Sequence, residues 1–237
     1  MVAPMCQKTD HGAEVIRRLA SRFAANTELA LAKQSTELSR VELKARCLSS
    51  VGEILKSSNA SSDTHKQVAC IFDEIFADSI CSLYLAAQGL DKPAQILLRR
   101  VLDLGVAAIF LWDRPDKFWG WKEYDADLSF SEITEHLSSL PYLRFVAAEN
   151  GRSDDAPIFD VTLARKEYRS LSNTVHGKVT TFETALADRF QHSDTDWESH
   201  IRRLESVQNL ILDLAIARFA IVREQLPTLQ PQLNAFK

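Results

Sequence analysis

The sequence predicts an all-α fold, a helical bundle with short accessory helices. Two observations carry this. Apolar residues recur at three- and four-residue spacing along most of the chain, and no stretch alternates with the two-residue period of a half-buried strand. Ala, Leu, Glu, Lys and Arg are abundant, whereas glycine and proline number only 7 each in 237 residues, too few to punctuate many short strands. Internal repeats are absent, which favours one packed bundle over a stacked solenoid.

The elements follow in chain order. Residues 13–56 carry a charged helical pattern, with a break expected near Asn26 or Ser35. SSNASSD (Ser57 to Asp63) is a polar linker whose hydroxyls suit the cap of the next helix. That helix sets Val68, Ile71, Phe72, Ile75, Phe76, Ile80 and Leu83 at core spacing and ends at Gly89. Pro93 opens a second apolar helix, AQILLRRVLDLGVAAIFLW, hydrophobic nearly all round as a central helix should be. DRPDKFWGWKEYDAD (Asp113 to Asp127) reads as an irregular aromatic connection, followed by short helices in SFSEITEHLSSL and PYLRFVAAEN and a loop at NGRSDDAP. A helix is expected over Phe159–His176. The connector GKVTTFETALADRFQHSD leads to a last long helix, Asp196 to Gln225, with Thr195 and Glu198 as its capping box and Pro227 ending it. Residues 1–56 thus form an N-terminal helical extension packed on the core, 63–226 the bundle, and 227–237 a tail.

A net charge of −4 argues against a general nucleic-acid coat protein while leaving room for a local basic site. Cys6, Cys47, Cys70 and Cys81 make no CxxC pair. Cys70 and Cys81, in an apolar helix, are expected to be buried thiols, a pattern suited to a reducing cytoplasm. The most apolar runs, VLDLGVAAIFLW and LILDLAIARFAIV, are interrupted by Asp103, Asp213 and Arg218 and are too short to span a bilayer, so a soluble cytoplasmic protein is expected, without membrane partners.

Candidate chemistry narrows quickly. His192, Asp196 and His200 stand four apart, a spacing that puts metal ligands on one helical face. Caps at a helix start use the same residue types, so neither a metal nor any other cofactor is expected. Trp112, Trp119, Trp121 and Tyr124 have the chemistry to stack bases, but such residues more often close the end of a bundle. Arg99, Arg100 and Asp103 interrupt the central helix and need partners there. Either an arginine pairs with Asp103 along the helix, or one is held by it and aimed at a phosphate or at the helix of His176.

That helix closes with YRSLSNTVHG. At about 100° per residue, positions seven apart nearly eclipse, so Arg169 and His176 share a stripe with Ser172, and Arg165 extends it. Ala164, Tyr168, Leu171 and Val175 form the opposite, buried side. Histidine exchanges protons near neutral pH, and arginine clamps phosphate through its planar fork. Together they suit RNA cleavage, with the histidine acting on the 2′-hydroxyl proton and the arginine steadying the charged transition state.

RSLSNTVH also resembles the R-x(4–6)-H motif of the HEPN superfamily (higher eukaryotes and prokaryotes nucleotide-binding). The order of elements from the Asp63 helix to the last helix is similar to that of bacterial members. The resemblance implies a HEPN-like bundle and a metal-independent endoribonuclease, acting on tRNA or mRNA in a toxin–antitoxin or phage-defence setting, as a homodimer with facing motifs. By position, Arg169 and His176 would be the catalytic pair, with Arg165, Ser172, Asn173 and Arg99 as substrate-binding accessories. The family often has Asn, Asp or His directly after the arginine, where this chain has Ser170. The alternative is therefore a non-catalytic module of the same fold that binds a partner protein or nucleotide.

Overall fold

The computed structural model describes residues 11–33, 35–59, 61–153, 155–177 and 190–232. These are helical throughout, without strands among the described residues. In chain order the helices are α1 (His11–Leu31), α2 (Ser35–Ser57), α3 (Asp63–Ala69), α4 (Ile71–Ala87), α5 (Asp91–Asp113), α6 (Pro115–Tyr124), α7 (Phe130–Leu137), α8 (Leu140–Glu149), α9 (Val161–Val175), α10 (Asp194–Arg218) and α11 (Ala220–Leu229). The all-α bundle expected from the sequence is the observed architecture. No described helix is long and apolar enough to cross a membrane.

The core lies among α2, α4, α5 and α10. α5 is central, touching α3, α4, α6, α7, α9 and α10, because its apolar residues point all round. Leu98, Leu102, Ile109 and Leu111 are fully buried, each worth about 1.5–3 kcal/mol of transfer free energy. α5 crosses α10 so closely at Gly105 that a Cβ there would lie 2.4 Å from Ile211. α2 contributes Val41, Leu48, Val51, Ile54 and Leu55 to the same buried cluster. Arg40 and Lys44 of α2 both pair with Glu205 of α10 at 2.6 Å.

Local signals place several boundaries. Ser62 of the predicted linker caps α3, accepting the His65 N–H at 3.3 Å while His65 Nδ1 accepts the Ser62 N–H. The single helix expected from Asp63 to Gly89 is instead two, α3 and α4, meeting at Cys70. Gly89 follows α4 as expected, and α1 ends at Leu31, ahead of Ser35. α7 and α8 form where two short helices were expected.

Other expectations are corrected. Asp113–Asp127 is not irregular: Pro115 starts α6, Phe118 is buried beneath it, and Asp125 ends it in the left-handed conformation at φ 52°. Trp112 and Trp119 pack against the core, whereas Trp121 and Tyr124 are exposed. α5 begins at Asp91, with Pro93 in its first turn, where a missing N–H costs no helical bond. Cys70 and Cys81 are exposed, on the outer side of the α3–α4 segment, and among the described cysteines only Cys47 is buried. Ser193, not Thr195, caps α10, accepting the Asp196 N–H at 3.3 Å. The last helix is two. Phe219 turns extended and buries against Trp112 at 5.2 Å, while Asn150 donates to the carbonyls of Ala217 and Arg218 freed by the break. Pro227 lies inside α11 rather than ending it, since buried Val222 and Leu226 hold that helix against α2. Most of the predicted connector (178–189), Cys6 and residues 233–237 lie outside the described residues.

One buried polar group makes stability depend on pH. His200 Nε2 lies 3.1 Å from Ser82 Oγ, whose own hydrogen goes to the Ala94 carbonyl at 2.8 Å, so the histidine donates. Burial, helped by the Arg203 cation, pushes its pKa down to about 4 from 6.5. The unfolded chain therefore binds a proton that the folded chain refuses. Its contribution is complete above pH 6.5 and is lost as pH falls toward 4, amounting to roughly 2–3 kcal/mol at pH 4.5. His136, lowered by burial and by Arg114, acts in the same direction. Denaturant titrations at pH 7.0 and 4.5 should show this loss shrinking in His200→Gln; an unchanged difference would refute the assignment.

Candidate functional site

α9 is held at both ends by its own sequence. Asp160 caps it, accepting the Leu163 N–H at 2.8 Å. At the other end the His176 N–H bonds the Ser172 carbonyl at 2.9 Å, and Gly177 follows at φ 58°, a conformation glycine adopts without strain. Buried Ala164 and Leu171 seat the helix against the core. Val175, expected to bury with them, is 45% exposed, because the last turn runs past the surface that covers the others. Tyr168 is half-buried.

An open cleft of about 490 Å³ runs between this helix and the start of α7. From α9 it is lined by Arg165, Tyr168, Arg169, Ser172, Asn173 and His176, so five of the six residues singled out in the sequence come together. Leu128, Ser129, Phe130 and Ser131 form the facing wall. Arg169 and His176 are exposed, and neither side chain makes a hydrogen bond or ion pair with another described residue. Arg165 is loosely held, 3.9 Å from Glu135 and 3.4 Å from Thr134 Oγ1.

The sixth residue, Arg99, stands behind the cleft rather than in it. Its side chain is 14% exposed and its Nε lies 2.9 Å from Asp103, angled off the hydrogen-bond line. Nη1 donates to Ser172 Oγ at 2.6 Å, and the guanidinium sits 3.5 Å over the Tyr168 ring. Ser172 in turn donates to the Tyr168 carbonyl at 2.7 Å, so its hydroxyl is committed in both directions. Both possibilities left open for the arginine are thus realised at once: it pairs along α5 and reaches the histidine helix. Arg99 and Ser172 thus join α5 to α9: the guanidinium is buried behind the cleft lining, and the serine hydroxyl hydrogen is spent on the Tyr168 carbonyl. Burial pushes the Asp103 carboxyl above its ordinary range, and Arg99 offsets only part of this. Arg100 turns the other way, to Glu74 at 3.0 Å and Asp78 at 2.5 Å on α4.

The facing wall was missed by sequence reasoning. Ser129 and Glu132 carry the S-x-x-E signal that starts α7, and Ser129 does accept the Glu132 N–H at 3.4 Å. Nothing in that local signal says which helix lies opposite.

A second cavity, about 450 Å³, lies around Trp112, Asp113 and Arg218. Its two buried charged groups are spent on each other. Arg218 and Asp113 form a two-pronged pair at 2.6 and 2.8 Å with Tyr142 donating to the same carboxylate, and both His65 ring nitrogens are engaged. His192 pairs with Asp194 at 3.0 Å and His200 turns to Ser82. Among the described residues, no group of three or more His, Cys, Asp or Glu is arranged to hold a metal ion. Among the described residues, the α9 cleft brings together an imidazole and a guanidinium without side-chain partners, with the loosely held Arg165 beside them. No family model, no curated protein and no solved structure matches the chain.

Proposed function

We propose that the chain is a HEPN-like endoribonuclease whose site is the α9 cleft. The observation that supports this is the exposure of Arg169 and His176 in one cleft, with neither side chain committed to a partner among the described residues. His176 takes the proton of a ribose 2′-hydroxyl, and that oxygen attacks the adjacent phosphorus. The 5′-oxygen leaves, taking a proton from a protonated histidine, and a 2′,3′-cyclic phosphate and a 5′-hydroxyl result. Arg169 stabilises the extra negative charge on the phosphoryl oxygens in the transition state. Two copies with facing clefts would supply one histidine as base and the other as acid, and a toxin–antitoxin or phage-defence role fits such an activity.

The test is incubation of the purified protein with labelled tRNA or total RNA in excess EDTA, with the product ends mapped. Cyclic-phosphate 3′ ends and free 5′-hydroxyls are expected. Intact RNA in the presence of folded protein would sink the enzymatic reading in favour of a binding module, for which Ser170 after the motif arginine is the sequence argument.

A further inference from the structure

We infer that the cleft grips RNA by two consecutive backbone phosphates, one at Arg169 and the next at Arg165, and leaves the bases unread. The inference deepens the ribonuclease reading and rests on it.

Two features support it. The first is the row of cations. Arg165 and Arg169 are one turn apart on α9, so their backbones are separated by about 6 Å along the axis, with His176 about 10 Å beyond Arg169. Both arginines line the cleft and both are exposed. Among the described residues Arg169 has no ionic partner, and Arg165 has a 3.9 Å approach to the exposed Glu135 and a 3.4 Å bond to Thr134 Oγ1, interactions weak enough to be exchanged for a phosphate. A cation one turn beyond the catalytic arginine reaches a neighbouring phosphate of the same strand, not the reacting one.

The second is the state of the aromatic rings. Recognition of unpaired bases relies on open aromatic faces. The cleft contains Tyr168 and Phe130, and neither offers one. The Arg99 guanidinium lies 3.5 Å from the Tyr168 centroid and the Phe130 ring 3.9 Å from it, stacked at 20°. Two groups that close to one centroid must occupy opposite faces, so Tyr168 is covered on both. Phe130 is 6% exposed. A base entering this cleft meets guanidinium, hydroxyl and carboxamide groups and the His176 imidazole, which the proposed reaction engages, but no open tyrosine or phenylalanine face to stack on. Affinity is then dominated by charge, which is indifferent to sequence and sensitive to salt.

The test separates binding from cleavage by using 2′-O-methyl oligonucleotides, which lack the attacking hydroxyl. Fluorescence anisotropy with labelled oligo-A, oligo-U and oligo-C should give affinities within about threefold of one another. Arg165→Gln should weaken all three by the same factor and reduce the salt slope by about 0.7, the loss of one single-strand phosphate contact. Lys166→Gln, one residue along and outside the cleft lining, should leave the slope unchanged. In cleavage assays Arg165→Gln should raise KM with little change in kcat on a trinucleotide, and should have no effect on a dinucleoside monophosphate, which lacks the second phosphate. A base preference above about tenfold, an unaltered salt slope in Arg165→Gln, or no binding at all would overturn the inference. Binding as expected with no cleavage of unmodified RNA would instead overturn the ribonuclease reading alone.

Discussion

Replacing His176 by alanine should reduce RNA cleavage by about 10²- to 10⁴-fold, the range a positioned proton-transfer group contributes. The thermal midpoint should stay within about 2 °C of wild type, because exposed positions tolerate substitution within about 0.5 kcal/mol. The separation is possible because the histidine's structural contact is its backbone N–H to the Ser172 carbonyl, which alanine keeps. Arg169→Gln should fall as far, while Arg169→Lys should recover only part, since an ammonium keeps the charge but loses the planar fork. If the two groups act on one transition state, the double variant loses little more than either single one. Initial rates on a labelled RNA, paired with melting curves, check all four proteins. A large drop in the His176→Ala melting temperature would reassign the residue to the end of α9 and away from chemistry.

The second large effect is expected far from the cleft. Arg218→Met should destabilise the fold by about 3–5 kcal/mol, because it strands a buried carboxylate. Asp113 is 7% exposed at its side chain and receives two hydrogen bonds from Arg218 and one from Tyr142. Burial works against the guanidinium's charge, and the carboxylate more than offsets it, so Arg218 is held above its ordinary pKa. The Tyr142 phenol is pushed up as well, first by burial and then by the Asp113 charge. The pair joins the end of α5 to the end of α10, where the backbone breaks at Phe219, so losing it should also loosen α11. Removing both charges in Asp113→Leu/Arg218→Met should cost less than removing the arginine alone, since no unpaired ion is then left inside. Equilibrium urea unfolding of the single and double variants decides it. A loss below about 1 kcal/mol in the single variant would mean the carboxylate finds water or another donor.

Much of the fold was legible because its signals are local. The three-and-four spacing of the α5 leucines, the Ser62 cap and Gly89 each act within a few residues, and each appears where the sequence puts it. The errors share one cause. Phe219 sits in an unbroken helical pattern, and only burial against Trp112 and the Asn150 caps make the chain turn there. Pro115 and Phe118 look like loop residues until a core surface lies beneath them. Cys70 and Cys81 belong to an apolar segment, and which side of it stays wet depends on where neighbouring helices stop.

The same division runs through the candidate site. Helical geometry alone aligns Arg165, Arg169, Ser172 and His176, because 3.6 residues per turn fixes which side chains share a stripe. Spacing within one helix carries no information about the surface opposite it. Only tertiary packing brings Ser129 and Ser131 across from that stripe, and only packing covers both faces of Tyr168. It also drew Arg99 behind α9 as a brace, where the sequence suggested a substrate contact. A buried guanidinium must find its partners wherever the folded chain supplies them, and here they are Asp103, Ser172 and the Tyr168 ring.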